Sequence, residues 1–114
     1  GAEETVTLAR AQGDGRLRRL VTQYLPAEIQ ALRIGERYIV GFPAEIFVEY
    51  GLELKRRSGG SAFAVSLVNG EMQGYIVTPA AMAAGGYEAG NSLFHPEAGQ
   101  HMVETALAGI AALA

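Results

Sequence analysis

The 114-residue sequence contains no cysteine, which excludes a disulfide framework, a thiolate zinc site and a cysteine nucleophile. The absence leaves the compartment open, because cytoplasmic and periplasmic proteins alike can do without the residue. Charge is scarce as well: 18% of the residues are Asp, Glu, Lys or Arg, and the formal net charge is −3. Basic residues gather only at Arg16–Arg19 and Lys55–Arg57, so neither nucleic acid nor an anionic membrane surface is an expected partner. No apolar run approaches the roughly eighteen residues of a transmembrane segment, and Gly1-Ala2-Glu3-Glu4 has neither the basic nor the apolar region of a signal peptide. The leading Gly reads as a tag remnant, with any targeting signal of a parent protein outside the sequence.

What is present is apolar material, 49% of the residues. That fraction supports a real core, and the length fits one domain and not two. There is no internal repeat, and the Ala-rich stretches Ala80–Ala84 and Ala106–Ala114 read as helical and not as low-complexity sequence.

The periodicity predicts a mixed α/β (α+β) domain with a mixed sheet of about four strands, a hairpin, a βαβ crossover and covering helices. Glu3–Ala9 is ambiguous. Gly13-Asp14-Gly15 breaks the first segment, and Arg16–Leu25 forms a short helix with Leu17, Leu20, Val21 and Tyr24 on one side, ended by Pro26. Glu28–Ile34 and Arg37–Phe42 form a hairpin around Gly35-Glu36, with Ile29, Leu32 and Ile34 inward. A helix starting at Pro43 carries Phe47, Tyr50, Gly51 and Leu54 at helical spacing and closes at Lys55–Arg57 and Ser58-Gly59-Gly60. Ala62–Val68 follows as a buried strand, reached by a right-handed parallel crossover. Gly74–Val77 is a short fourth strand. Thr78-Pro79 caps a brief helix through Ala84, Gly85-Gly86 stops it, and an irregular loop runs from Tyr87 to Gly99. The last helix turns Val103, Ala106, Leu107 and Ile110 inward.

Functional residues in such folds gather where strands end and loops begin, which selects Gly41–Glu45 and Tyr75–Asn91. Glu45 falls in the first turn of the helix expected from Pro43. There a carboxylate complements the helix N-terminus, or, held at a strand end, it ligates a metal or acts as a general base. Tyr75 and Tyr87 each bring a phenol that either packs at a core rim or offers a hydrogen bond to a ligand. His95 and His101 do not have the spacing of a helical metal pair. Ser58, Ser61, Ser66 and Ser92 lack the context of a nucleophile elbow, and Gly13-Asp14-Gly15 is not a phosphate loop.

Three segments nevertheless form an ordered pattern. Ile34-Gly35 with Tyr38-Ile39-Val40-Gly41-Phe42-Pro43-Ala44-Glu45 comes first, then Val68-Asn69-Gly70 with Gly74-Tyr75-Ile76-Val77-Thr78, then Gly86-Tyr87-Glu88-Ala89. Over Ile34–Leu107 the chain resembles the neutral/alkaline non-lysosomal ceramidase family, including its bacterial ceramidase-like members. The first segment is similar to that family's hairpin and Pro-Gly-Glu element, with Ala44 in place of the Gly. The second is similar to its Asn-containing strand end and Tyr-Ile/Val-Thr-Thr element, and the third to its Tyr-Glu-Ala/Gly element.

The resemblance implies that Glu45 and Tyr75 are ligands of a catalytic zinc and that Tyr87 stabilises the oxyanion of amide hydrolysis. The family's N-terminal histidine ligands have no counterpart here, which implies that they belong to an upstream region of a longer parent. The chain is then a C-terminal piece of the catalytic region of a zinc amidohydrolase acting on an N-acyl amide such as ceramide. It is expected to be inert alone and to bind no zinc tightly; the compartment stays open, the resemblance being compatible with a secreted or periplasmic parent. From a different class, the alternative is a non-catalytic binding or assembly domain that keeps the fold without the site. It would associate with missing segments, or as a homodimer, through an exposed apolar patch formed partly by the C-terminal helix.

Overall fold

A computed structural model describes residues 2–70 and 74–114. Gly35, at φ 61°, supplies the left-handed residue of a tight turn. That turn closes an antiparallel hairpin between β1 (Gln30–Ile34) and β2 (Arg37–Gly41). From β2 the chain passes through α3 (Val48–Arg57) and returns as β4 (Ala62–Val65), parallel to β2. The result is a three-stranded sheet in the order β1-β2-β4. A separate two-stranded sheet pairs β3 (Glu45–Ile46) in parallel with β5 (Tyr75–Ile76).

The remaining elements are helical: α1 (Ala2–Gly13), α2 (Arg16–Tyr24), α4 (Pro79–Ala84), α5 (Tyr87–Gly90) and α6 (Ala98–Leu113). The architecture is α+β. The main sheet has three strands instead of the expected four, because the segment at Tyr75 pairs with β3 and not with the hairpin.

Helices α3 and α6 cover one face of the main sheet. Phe42, Leu54 and Val40 are fully buried there beside Tyr38, Ala62, Ala106 and Ile110. A second cluster of Ala44, Tyr50, Ile76 and Val103 joins the small sheet to the same two helices. Burying a side chain such as Leu54 or Phe42 contributes about 1.5–3 kcal/mol. The Tyr50 hydroxyl donates to the Val77 carbonyl at 3.0 Å. A Cβ at Gly99 would overlap the Tyr50 ring, so the glycine is what lets α6 lie this close to α3.

Strand alternation places the opposite set of side chains outside. Paired positions share a face, and Leu32, Ile39 and Phe63 form one cross-strand row. Leu32 and Phe63 are each 49% exposed and Ile34 is 64% exposed. The expectation that Leu32 and Ile34 point inward is therefore wrong, since Ala31 takes the inner position, against Gly109 of α6. Reading Ala62–Val68 as a buried strand fails for a related reason: most of the outer face is uncovered, and Phe63, Val65 and Leu67 are exposed.

The helix expected from Pro43 begins at Val48. The backbone ahead of it is taken up by strand pairing. The Phe42 N–H donates to the Val65 carbonyl at 2.8 Å, the Leu67 N–H to Ala44 at 3.2 Å, the Glu45 N–H to Gly74 at 2.9 Å and the Phe47 N–H to Ile76 at 3.1 Å. Residues 42–47 thus pass from one parallel partner to another, and Glu45 lies in a strand and not in the first turn of a helix.

Glu3–Ala9, ambiguous in sequence, is helical within α1. The break before α2 is made by Asp14, whose carboxylate accepts from the Arg16 N–H at 3.0 Å. On α2 Leu20 is 47% exposed, and the expected inward positions of the Val21 and Tyr24 side chains lie outside what is described. The expected loop from Tyr87 contains one helical turn, α5.

Candidate functional site

Glu45 and Tyr75 are register partners in the parallel β3–β5 ladder. Partners in a parallel ladder point to the same face, about 4.8 Å apart. Main-chain hydrogen bonds on both sides of Glu45, to Gly74 and Ile76, fix the direction of its side chain. On the next residue of each strand the side chain turns over: Ile76 is buried in the core, while Tyr75 is half-buried at the surface.

Tyr87 arrives by a different route. Thr78 caps α4, its hydroxyl accepting from the Ala81 N–H at 3.1 Å, and Pro79 follows at the start of the helix. Gly85 and Gly86, at φ 77° and 111°, then turn the chain through conformations that L side chains rarely adopt. The turn returns Tyr87 to Tyr75, the two rings meeting edge to face with centroids 5.9 Å apart and planes at 77°. The structure therefore brings Glu45, Tyr75 and Tyr87 together from β3, β5 and α5.

Glu45 and Tyr75 line a shallow cleft of about 410 Å³ with Phe47, Val48, Glu49 and Glu88. Tyr87 is 69% exposed and stands beside Tyr75 at the margin of this cleft, while Glu88 forms part of its wall. Loss of hydration raises the Tyr75 phenol above its ordinary pKa, and the Glu45 charge raises it further. Tyr87, a hydrogen bond to Glu45 and the Glu88 charge act in the same direction. These effects keep the Tyr75 phenol protonated beside the Glu45 carboxylate.

Zinc, the metal implied by the family resemblance, takes carboxylate oxygens such as those of Glu45. Among the described residues no group of three or more His, Cys, Asp and Glu side chains is placed to hold a metal. The Glu45 carboxylate is one donor of that kind, and Glu45 and Tyr75 do not by themselves make a complete site.

The histidines stand elsewhere. His95 is exposed, 3.7 Å from the Glu97 carboxylate. His101 borders a larger, mainly apolar cavity of about 590 Å³ between Leu25–Ala27 and α6. Ile76 lines that cavity, on the face of β5 opposite Tyr75. Glu49 and Glu88 were not singled out by sequence reasoning. The signal for Glu88 was its place beside Tyr87 in the Tyr-Glu element, whereas Glu49 carried none. Comparison of the chain with protein-family models, with curated proteins and with solved structures finds no match.

Proposed function

We propose that this chain is the part of a zinc-dependent amidohydrolase, similar to the neutral ceramidases, that supplies Glu45 and Tyr75 as metal ligands and Tyr87 as an oxyanion donor. The supporting observation is the register pairing of Glu45 with Tyr75, with the Tyr87 ring packed edge to face against Tyr75. These residues lie far apart in sequence, and the resemblance assigns all three to one site. Zinc, when bound, supplies Lewis acidity toward the amide carbonyl and an activated water.

The chain's own residues do the remaining work. Glu45 and Tyr75 present two oxygen donors from strands whose spacing is fixed by main-chain hydrogen bonds. Tyr87, exposed at the cleft margin, offers its hydroxyl to the oxygen on which negative charge develops. A catalytic zinc takes about three protein ligands, so the missing donors come from an upstream region of a longer parent, and the 114 residues alone are inactive. The substrate is an N-acyl amide such as ceramide.

The test is zinc stoichiometry and amide hydrolysis in that parent. Glu45→Ala removes the zinc, while Tyr87→Phe keeps it and slows turnover by about a hundredfold or more, the usual cost of one oxyanion donor. Retention of zinc by Glu45→Ala would sink the assignment.

A second reading is supported by the outer face of the main sheet, where Val68 and Asn69 cover Gly41 and Leu32, Ile34, Phe63 and Val65 are exposed. On this reading the chain is an assembly domain that buries that face, in a homodimer or against other segments. Sedimentation equilibrium decides it: the chain associates and Phe63→Asp does not. A monomeric wild-type chain removes the homodimer.

A further inference from the structure

Helices α4 and α5 contain no buried residue, so core packing does not hold Tyr87 in place. The end of this excursion is held by Phe94, which packs against the Ala44, Tyr50, Ile76 and Val103 cluster, and by Ser92, whose hydroxyl donates to the Tyr75 carbonyl at 2.9 Å, across seventeen residues of sequence. Among the described residues this is the one hydrogen bond that joins residues 79–95 to β5.

The acceptor is available for a structural reason. The β3–β5 ladder uses the carbonyls of Gly74 and Ile76, and strand alternation turns the Tyr75 carbonyl away from β3. On the donor side, Ser92 is continuous with the turn that carries Tyr87. The Asn91 N–H and side-chain amide donate to the Tyr87 carbonyl at 3.1 and 2.7 Å, and the Ser92 N–H donates to Ala89 at 3.4 Å. One hydroxyl therefore couples the main chain of Tyr75 to the turn bearing Tyr87.

We propose that Ser92 is a positioning residue of this site, its hydroxyl setting the Tyr87 ring against Tyr75. The assignment rests on the proposed amidohydrolase reading only for the task given to Tyr87. The linkage itself belongs to the chain as it stands and is tested without metal or substrate.

The experiment is the nuclear Overhauser effect between the Tyr75 and Tyr87 ring protons in the 114-residue chain, compared among wild type, Ser92→Ala, Ser92→Thr and Ser92→Val. Thr and Val have nearly the same shape and differ in the hydroxyl. The methyl shifts of Val103 and Ile110 report in parallel that the core is intact. Wild type and Ser92→Thr show the contact, while Ser92→Ala and Ser92→Val weaken it several-fold with the core shifts unchanged. An undiminished contact in Ser92→Val, or its loss in both Thr and Val variants, would overturn the proposal. Zinc binding lost on Glu45 substitution is a separate readout, so the amidohydrolase reading and the Ser92 linkage can fail independently.

Discussion

The Glu45 carboxylate and the Tyr75 phenol project from register partners of two neighbouring parallel strands, and their proximity has a measurable electrostatic consequence. Tyr75 titrates above the ordinary tyrosine range, first through lost hydration and then through the Glu45 charge. Glu45→Gln removes the second cause and leaves the first. The Tyr75 pKa, followed by the chemical shift of its ring carbon bearing the hydroxyl, falls and stays above that of a free tyrosine. An unchanged value would mean that the two groups do not face each other.

Tyr50 makes the domain sensitive to alkali. Burial raises its phenol, with the Glu49 and Glu53 charges adding to the effect. A raised folded-state pKa gives stability that is fully present below the unfolded value near 10 and is lost as pH rises through the folded value. Urea midpoints therefore fall above about pH 10. Tyr50→Phe costs about 1 kcal/mol at neutral pH through the lost bond to Val77, and its midpoint falls less steeply in alkali. Equal slopes for the two proteins would contradict this.

The close approach of α6 to α3 depends on Gly99. An added Cβ meets the Tyr50 ring, and overpacking of this kind costs about 1–3 kcal/mol. Thermal denaturation of Gly99→Ala measures it, and a stability equal to wild type would show that the helices do not pack at this point.

Arg57 ties the same helices together at the surface. Its guanidinium bonds both oxygens of Glu104, the second at 2.9 Å, and reaches Glu53 at 3.1 Å, while the Gln100 amide donates to both carboxylates at 3.0 Å. The Glu53 carboxyl is lowered first by its bond to Gln100, and the Glu104 carboxyl by its bond to Arg57. Lowered pKa values give stability present above the ordinary value of 4.5 and lost as pH falls through the folded values. Because the cluster is solvent-exposed, Arg57→Ala lowers stability only slightly, and less in high salt. The variant shows a shallower loss of stability in acid, and identical acid profiles would remove the cluster from the account.

Much of the main sheet was legible because its signals are local. Gly35 marks the hairpin turn, the spacing of Tyr50 and Leu54 marks α3, and strand–helix–strand order implies the crossover. The errors come from partners distant in sequence. Pro43 is a common helix starter, yet residues 42–47 are drawn into strand by Val65, Leu67, Gly74 and Ile76, which no local window includes. Ala62–Val68 is apolar enough to read as buried, while most of the outer face of its sheet is uncovered. Residue chemistry alone left Glu45, Tyr75 and Tyr87 open to structural roles, and the family resemblance joined them. Their meeting depends on the β3–β5 pairing and the Gly85-Gly86 turn, and the contribution of Ser92 depends on a carbonyl direction that residue types do not encode.

The most direct measurement of the central claim is a titration of Zn²⁺ into the 114-residue chain, followed residue by residue through amide NMR shifts. The account predicts weak, saturable binding centred on Glu45–Ile46 and Tyr75–Ile76, abolished by Glu45→Gln and weakened by Tyr75→Phe. Shifts centred on His95 or His101, or shifts at the cleft that survive Glu45→Gln, would contradict it.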